Sequence, residues 1–160
     1  MKIFIDTSIF FNVVEGNRRE QEKIRTLLKH AKHAGYTLTT SITVYGEIVQ
    51  VCFRDKRKEL YAILNFIRDL DITCWLPNKQ LRICCSCLDK IDIEDRVGVS
   101  DKTHLAYSMS YNDDYFLTSD LDLLHFPLNK CHCRTKCDLN RKTEGKIISL
   151  NQLKEILQKK

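Results

Sequence analysis

The sequence predicts an α/β protein in which helices cover a parallel sheet. Short apolar runs of strand length alternate along the chain with longer segments whose apolar residues recur at helical spacing. Only 5 glycines and 2 prolines interrupt the 160 residues, which excludes collagen-like, linker-rich and many-turned all-β chains. A hydrophobic fraction of 43% with 29% charged residues is that of one globular domain, here residues 1–160.

The first elements are a strand, a helix and a second strand. Residues 2–5 form an apolar run that ends at Asp6, the pattern of a buried parallel strand. Helically spaced apolar residues follow over 17–35, where Gly35 ends the helix. Residues 36–40 alternate weakly between polar and apolar side chains, which indicates the second strand.

The middle of the chain predicts two helices and a third strand. Ser41 is a suitable N-cap for a helix over 42–53. Nearly every residue of that helix is apolar, so we expect it to be buried on several sides. Another helix begins near Lys56, and a strand over 71–76 follows, with Trp75 expected in the core.

The C-terminal elements continue the alternation. A helix over 78–90 is followed by another that begins with Ser100 as its N-cap. Strands are expected over 115–118 and 146–150, and a last helix over 151–158. Strands alternating with helices in this way form βαβ units and hence a parallel sheet.

The 8 cysteines are expected to be reduced thiols or metal ligands, unless the organism keeps disulfides in its cytoplasm. The start of the chain lacks the features of a signal peptide, and no apolar run approaches the roughly 20 residues that cross a bilayer. We therefore expect a cytoplasmic protein without a membrane partner, a compartment where disulfides are rare. Cys84, Cys85 and Cys87 belong to the helix over 78–90 and are expected to be small core residues.

A Cys-rich basic insertion at about residues 127–146 is the one irregular segment. It holds six Lys or Arg against two acids, and irregular segments of this length tend to be functional or disordered. Its charge is compatible with a nucleic-acid partner, and equally with a solvated loop. Cys131, Cys133 and Cys137 are either ligands of a structural Zn²⁺ or incidental thiols.

Two of the predicted strands run directly into an aspartate. Asp6 ends the strand over 2–5, and Asp120 follows the strand over 115–118. In a parallel sheet both would emerge at the carboxyl edge, where open α/β sheets bind their ligands. Either acid alone is equally well explained as the cap of the next element.

Two further acids point inward from predicted helices. Glu47 shares a row with Val44 and Val51, and Asp101 lies in the first turn of its helix. An ion pair of Glu47 with Arg54 and the helix dipole at Asp101 are the simpler explanations. Neither accounts for four inward acids without matching inward Lys or Arg, whereas a hard cation such as Mg²⁺ or Mn²⁺ does. Such a site suits phosphoryl chemistry.

The segments that carry these acids resemble the PIN-domain ribonucleases, and within them the VapC-type toxins of toxin–antitoxin pairs. The matching pieces are FIDTSIF, TVYGEIV around Glu47, SDKTHLAYSMSYNDDYFLTSDLDL over residues 100–123, and IISL near the C-terminus. They occur in the family's order and cover most of the chain. The third piece is the most specific, because it joins an acid, a His-Leu-Ala helix and a T-x-D-x-D strand end.

The resemblance implies a PIN-like three-layer fold, in which helices flank a central parallel sheet of about five short strands. It implies an acidic quartet that is both catalytic and metal-binding: Asp6, Glu47, Asp101 and Asp120. Asp122 would be a variable fifth acid, and Thr7 and Thr118 would be the hydroxyls beside the metal site. A histidine at the position of His104 is commonly structural.

The implied activity is Mg²⁺- or Mn²⁺-dependent endonuclease cleavage of RNA by a homodimer. A toxin of this type would have an antitoxin protein as its partner. The basic residues that we expect to hold RNA are Arg134, Lys136, Arg141 and Lys142. Two alternatives stay open: a stand-alone PIN-domain RNA-processing nuclease, and a non-catalytic nucleic-acid-binding module.

Overall fold

Five short strands form one sheet in the computed structural model, which describes residues 1–55, 58–91, 96–128 and 147–159. In chain order the strands are β1 (Lys2–Ile5), β2 (Thr37–Ser41), β3 (Thr73–Trp75), β4 (Tyr115–Leu117) and β5 (Ile147–Ile148). All neighbouring strands are parallel, and their order across the sheet is β3-β2-β1-β4-β5. β1 is therefore central, with β2 and β4 on either side of its carboxyl end.

Helices connect the strands and flank the sheet, which confirms the predicted α/β class. Those of the described residues are α1 (Thr7–Glu15), α2 (Arg18–His33), α3 (Ile42–Arg54), α4 (Leu60–Asp69), α5 (Lys79–Leu88), α6 (Val99–Ser110), α7 (Leu121–Leu124) and α8 (Leu150–Gln158). Within that part of the chain, no helix has the length and hydrophobicity needed to span a membrane.

Helix ends agree with the predicted Gly35 stop and Ser41 cap, and the structure adds a capping box. Asn17 and Glu20 form a capping box at the start of α2, and Gly35 follows the end of that helix with a φ of 84°, a left-handed conformation that favours glycine. Ser41 caps α3 by accepting the backbone N–H of Val44.

Two helix starts differ from the predictions. Helix α1 was not predicted, because its β-branched and aromatic residues favour a strand locally. Burial of Ile9, Phe10 and Val13 stabilises it as a helix instead. Ser100 is not the N-cap of α6, because the helix starts earlier, after Gly98 as N-cap, where Asp101 accepts the Gly98 N–H at 3.1 Å.

Helix α3 is buried on one side only, so the expected burial on several sides is wrong. Its core side consists of Val44, Ile48 and Cys52. Ile42, Val49 and Phe53 are 44%, 38% and 73% exposed, because α3 belongs to the outer layer of the fold. Gly46 lies between them, and a Cβ added there would meet nothing within 4 Å. Ile42, Gly46, Val49 and Phe53 form a continuous exposed strip, here called the α3 stripe.

The cysteines of α5 agree with the core interpretation in part. Cys84 is fully buried, and Cys85 and Cys87 are half-buried against the core. Cys87 is disulfide-bonded, which contradicts the expectation that the cysteines are reduced or bind metal. That expectation rested on the compartment, which does not fix the state of one thiol. The predicted zinc ligands lie outside the described residues: Cys131, Cys133 and Cys137.

Trp75 is half-buried rather than a core residue, because its indole is held at the edge of the sheet. Its ring stacks on Tyr111 with centroids 4.2 Å apart, and its Nε1 donates to Asp113 at 3.1 Å. Thr39 Oγ1 also donates to Asp113, at 3.2 Å. Burial raises the pKa of Asp113 to about 7 although these hydrogen bonds oppose the shift.

The free energy of unfolding is expected to contain a term that falls as the pH rises from about 4 to about 7. Folded Asp113 keeps a proton that the unfolded chain releases near its ordinary pKa of 3.8, so stability is lost through that interval. The slope due to this group is at most about 1.4 kcal/mol per pH unit. Urea unfolding of wild type and Asp113→Asn across this range measures it. Parallel pH profiles of the two proteins would contradict the assignment.

Candidate active site

Asp6 is a buried carboxylate at the carboxyl end of the central strand. It is 3% exposed and stands at the N-cap position of α1, but its side chain does not cap that helix, so capping does not explain it. Its Oδ2 accepts hydrogen bonds from Ser8 Oγ and Thr118 Oγ1, both at 2.8 Å. Burial by itself would raise the pKa of Asp6, but hydrogen bonding and electrostatic attraction by His104, with the two hydroxyls, hold it below its ordinary value.

Asp120 emerges beside Asp6 because β4 is paired with β1. The Asp6 N–H donates to the carbonyl of Leu117 at 3.0 Å, which ties the two strand ends together. Thr118 is fully buried between the acids: its hydroxyl donates to Asp6 and accepts the Asp120 N–H at 3.0 Å. Asp120 Oδ1 caps α7, and no described residue donates to its Oδ2. Capping thus occupies one oxygen and leaves the other for a ligand.

Glu47 approaches the same edge of the sheet from α3. Its Oε2 accepts the Thr7 hydroxyl at 2.8 Å and the Ser100 hydroxyl at 3.3 Å. Arg54, the alternative partner considered from the sequence, pairs with Asp55 at 2.8 Å instead. Glu47 is therefore held by hydroxyl groups, and among the described residues no Lys or Arg neutralises it.

Asp101 combines a structural contact with a place in the acidic group. Its Oδ2 accepts the Gly98 N–H at 3.1 Å, which caps the start of α6. Burial raises the pKa of Asp101, and the negative charges of Asp6 and Asp120 raise it further. Asp101 is therefore exposed to the negative charge of both Asp6 and Asp120.

His104 lies between two of these acids. It is fully buried in α6, with Nδ1 3.2 Å from Asp6 Oδ1 and Nε2 3.3 Å from Glu47 Oε2. The second contact lacks hydrogen-bond geometry, so Nε2 has no hydrogen-bond partner among the described residues. Among the described residues, His104 is thus the side chain that makes polar contacts with both Asp6 and Glu47.

A comparison with known protein families identifies the family of the chain. The sequence model of the PIN domain matches residues 3–127, the span that contains all four acids. The chain belongs to the PIN domain family. PIN domains are nucleases and generally use divalent metal ions.

Two solved structures resemble the PIN fold of this chain. One is VapBC-1 from nontypeable Haemophilus influenzae, with a TM-score of 0.57 and 16% identity over 78% of this chain and 90% of that one. The other is VapBC2 from Rickettsia felis bound to a DNA fragment from their promoter, with a TM-score of 0.56 and 14% identity over 79% and 94%. At such low sequence identity these structures support the fold alone, and the predicted PIN-like fold is confirmed. No curated protein matches the sequence significantly.

The donor set fits a hard divalent cation. Glu47 Oε1, Asp101 Oδ1 and Asp120 Oδ2 receive no hydrogen bond from described residues, and carboxylate oxygens are the ligands that Mg²⁺ and Mn²⁺ take. In the described ranges, no three His, Cys, Asp or Glu side chains already form a metal-binding group. The three unbonded oxygens would hold such an ion directly or through water.

The structure gathers most of the predicted site and leaves part of it apart. Thr7 donates to Glu47, and Thr118 donates to Asp6. Asp122 is exposed and contributes its backbone N–H to Asp120. The predicted RNA-contacting residues lie outside the described ranges: Arg134, Lys136, Arg141 and Lys142. His104 was expected to be structural, although its place one turn after Asp101 indicated that it could reach the same side of the helix.

Proposed function

We propose that this PIN domain is a metal-dependent endoribonuclease, the toxin of a VapBC-type toxin–antitoxin pair. The observation that carries the proposal is the set of four acids at one edge of the sheet. Three of them keep a carboxylate oxygen that no described residue bonds, and no described Lys or Arg pairs with any of the four. Membership of a nuclease family supports the same chemistry.

The four acids have two kinds of role in the proposed reaction. Asp6 and Asp120 anchor the cation, and Glu47 and Asp101 complete its surroundings directly or through water. A bound Mg²⁺ or Mn²⁺ supplies charge neutralisation at the phosphate and a lowered pKa for the attacking water. Thr118 holds Asp6, and Thr7 holds Glu47, through hydrogen bonds of 2.8 Å, which keeps both carboxylates oriented. Cleavage leaves 5′-phosphate and 3′-hydroxyl ends.

Incubation of a mixed RNA pool with Mg²⁺, Mn²⁺ or EDTA, followed by mapping of both new ends, tests this activity. We expect cleavage with either metal, none with EDTA, and 5′-phosphate ends. A chain that binds RNA equally well with EDTA and never cuts it would instead be the non-catalytic nucleic-acid-binding module. That alternative is disfavoured because all four acids are present.

An antitoxin partner is proposed on the VapBC assemblies that the chain resembles. A small open reading frame directly upstream, whose product inhibits the cleavage, distinguishes a toxin from a stand-alone RNA-processing nuclease. The stand-alone enzyme would lack such a neighbour and would cleave without restraint.

A homodimer is proposed through the α3 stripe. Exposed apolar strips mark interaction surfaces, and Gly46 at the centre of this one permits close approach of a second backbone. We expect Val49→Asp to shift the wild-type dimer to a monomer in size-exclusion chromatography with light scattering. Ile83→Asp is the matched control, because Ile83 is 39% exposed and lies on α5. A monomeric wild type, or equal behaviour of the two variants, would contradict this interface.

The basic residues of the insertion are proposed to hold RNA without cutting it. Contacts to phosphates release counterions, so affinity should fall with salt at a slope of about 0.7 per contact on single strands. Replacing Arg134, Lys136, Arg141 and Lys142 by Ala is expected to weaken RNA binding and flatten the slope, with cleavage of saturating RNA nearly unchanged. Filter binding from low to moderate salt measures it. An unchanged slope would remove these residues from the RNA contact.

A structural Zn²⁺ at Cys131, Cys133 and Cys137 stays a separate proposal, checked by metal analysis.

A further inference from the structure

We propose that His104 is a positioning residue that fixes Asp6 relative to Glu47 and so sets the affinity of the site for its divalent metal. This inference rests on the proposed nuclease function and adds to the acidic quartet a residue that need not touch the metal.

The position of His104 links three separate elements. The side chain comes from α6, reaches Asp6 at the end of β1 through Nδ1, and faces Glu47 of α3 through Nε2. Because the imidazole is planar and fully buried, any rotation would break packing on all sides. The ring therefore acts as a rigid spacer between two carboxylates that otherwise repel.

The hydroxyl groups around the site do not perform this role. Ser8 and Thr118 orient Asp6 Oδ2, whereas Thr7 and Ser100 orient Glu47 Oε2. Each of these hydroxyls hydrogen-bonds to only one of the two acids in the described structure. Asp6 Oδ1 is an acceptor, so the ring nitrogen that faces it carries the hydrogen, and His104 Nδ1 is the donor.

The alternative is that His104 merely fills space. Two substitutions separate the explanations. In His104→Asn the amide nitrogen reaches about as far as Nδ1 and can still donate to Asp6. His104→Leu has a comparable size and is apolar, but has no donor. A space-filling role favours Leu, since Asn leaves a void and an extra buried polar group. A positioning role favours Asn.

We expect His104→Leu and His104→Asn to rank in opposite orders in two measurements on the full chain, one of stability and one of Mn²⁺ affinity. In thermal unfolding without metal, His104→Leu should be at least as stable as His104→Asn. In calorimetric titration with Mn²⁺, the dissociation constant of His104→Leu should rise about 10- to 100-fold, as for other partners that orient metal ligands. Part of the affinity should return in His104→Asn, which keeps a donor to Asp6 but does not reach Glu47. For RNA cleavage, kcat should fall in His104→Leu with little change in KM, because RNA is held elsewhere. Wild-type Mn²⁺ affinity in His104→Leu, or affinities that follow the order of stability, would overturn the inference.

A metal-free measurement separates this inference from the proposed function. Long-range ¹H–¹⁵N spectra report the hydrogen bond of the His104 ring, and Asp6→Asn should shift the Nδ1 resonance if Asp6 is its acceptor. Unchanged ring resonances overturn the inference even when wild type cleaves RNA, and they do so even if the His104 variants fail to fold. If Asp6→Asn shifts the resonance but the wild type neither binds Mn²⁺ nor cleaves RNA, the nuclease function is overturned. The role of His104 in metal affinity is then overturned with it.

Discussion

Asp6→Asn is expected to abolish RNA cleavage, with a loss on the order of 10³-fold or more, equivalent to about 4 kcal/mol of transition-state stabilisation. Asp6 is the most buried of the four acids and one of the two proposed metal anchors. Asparagine keeps the shape of the side chain but removes the charge that attracts a divalent cation. The measurement is the single-turnover rate on saturating RNA with Mg²⁺ and with Mn²⁺.

The same substitution has a second expected effect, on stability. Relief of charge repulsion would stabilise the variant, but the donors around Asp6 oppose this, because an asparagine amide would face donors from Ser8, Thr118 or His104. A misplaced buried donor costs roughly 1–3 kcal/mol, so we expect the metal-free variant to be less stable at pH 7. The pKa of folded Asp6 lies below its ordinary 3.8, so ionised Asp6 stabilises the wild-type fold above that pH. This stabilisation is lost as the pH falls through the folded pKa. Urea unfolding at pH 7 and near pH 3 compares the two proteins.

Asp69→Asn is the control for the loss of one negative charge. Asp69 is exposed at the end of α4 and pairs with Arg68 at 3.2 Å, so cleavage should stay at the wild-type level. Wild-type cleavage by Asp6→Asn in Mg²⁺ would mean that Asp6 does not hold the catalytic ion.

Local signals explain why much of the fold could be predicted from the sequence. The capping box of Asn17 and Glu20 and the glycine after α2 lie within a few residues of the structure that they specify. Asp6 and Asp120 follow apolar strands directly, so their meeting at one edge needed only the parallel pairing of β1 with β4.

Features that depend on distant contacts could not be predicted in this way. Helix α1 has a sequence that suits a strand locally and is helical because its apolar face is buried against other elements. The exposure of Phe53 depends on which layer α3 occupies, and hydrophobicity alone does not state that. His104 and Asp6 are 98 residues apart, and neither residue carries a local sign of the other.

Divalent metal is expected to raise the melting temperature of the wild type, and Glu47→Gln or Asp101→Asn to reduce that gain. A ligand that binds only the folded state stabilises it by about 2.7 kcal/mol at 100 times its dissociation constant, about 5–10 °C for a chain of this size. Asparagine at position 101 can still accept the Gly98 N–H through its side-chain carbonyl, so the helix start survives and the lost charge is the tested variable.

Because the pKa of Asp101 is raised by burial and by Asp6 and Asp120, removing its charge should also stabilise the metal-free fold slightly at pH 7. Differential scanning fluorimetry with Mn²⁺, Mg²⁺ and EDTA measures both effects, with Asp69→Asn expected to match wild type. Equal metal-induced shifts in wild type, Glu47→Gln and Asp101→Asn would exclude these two acids from the metal site.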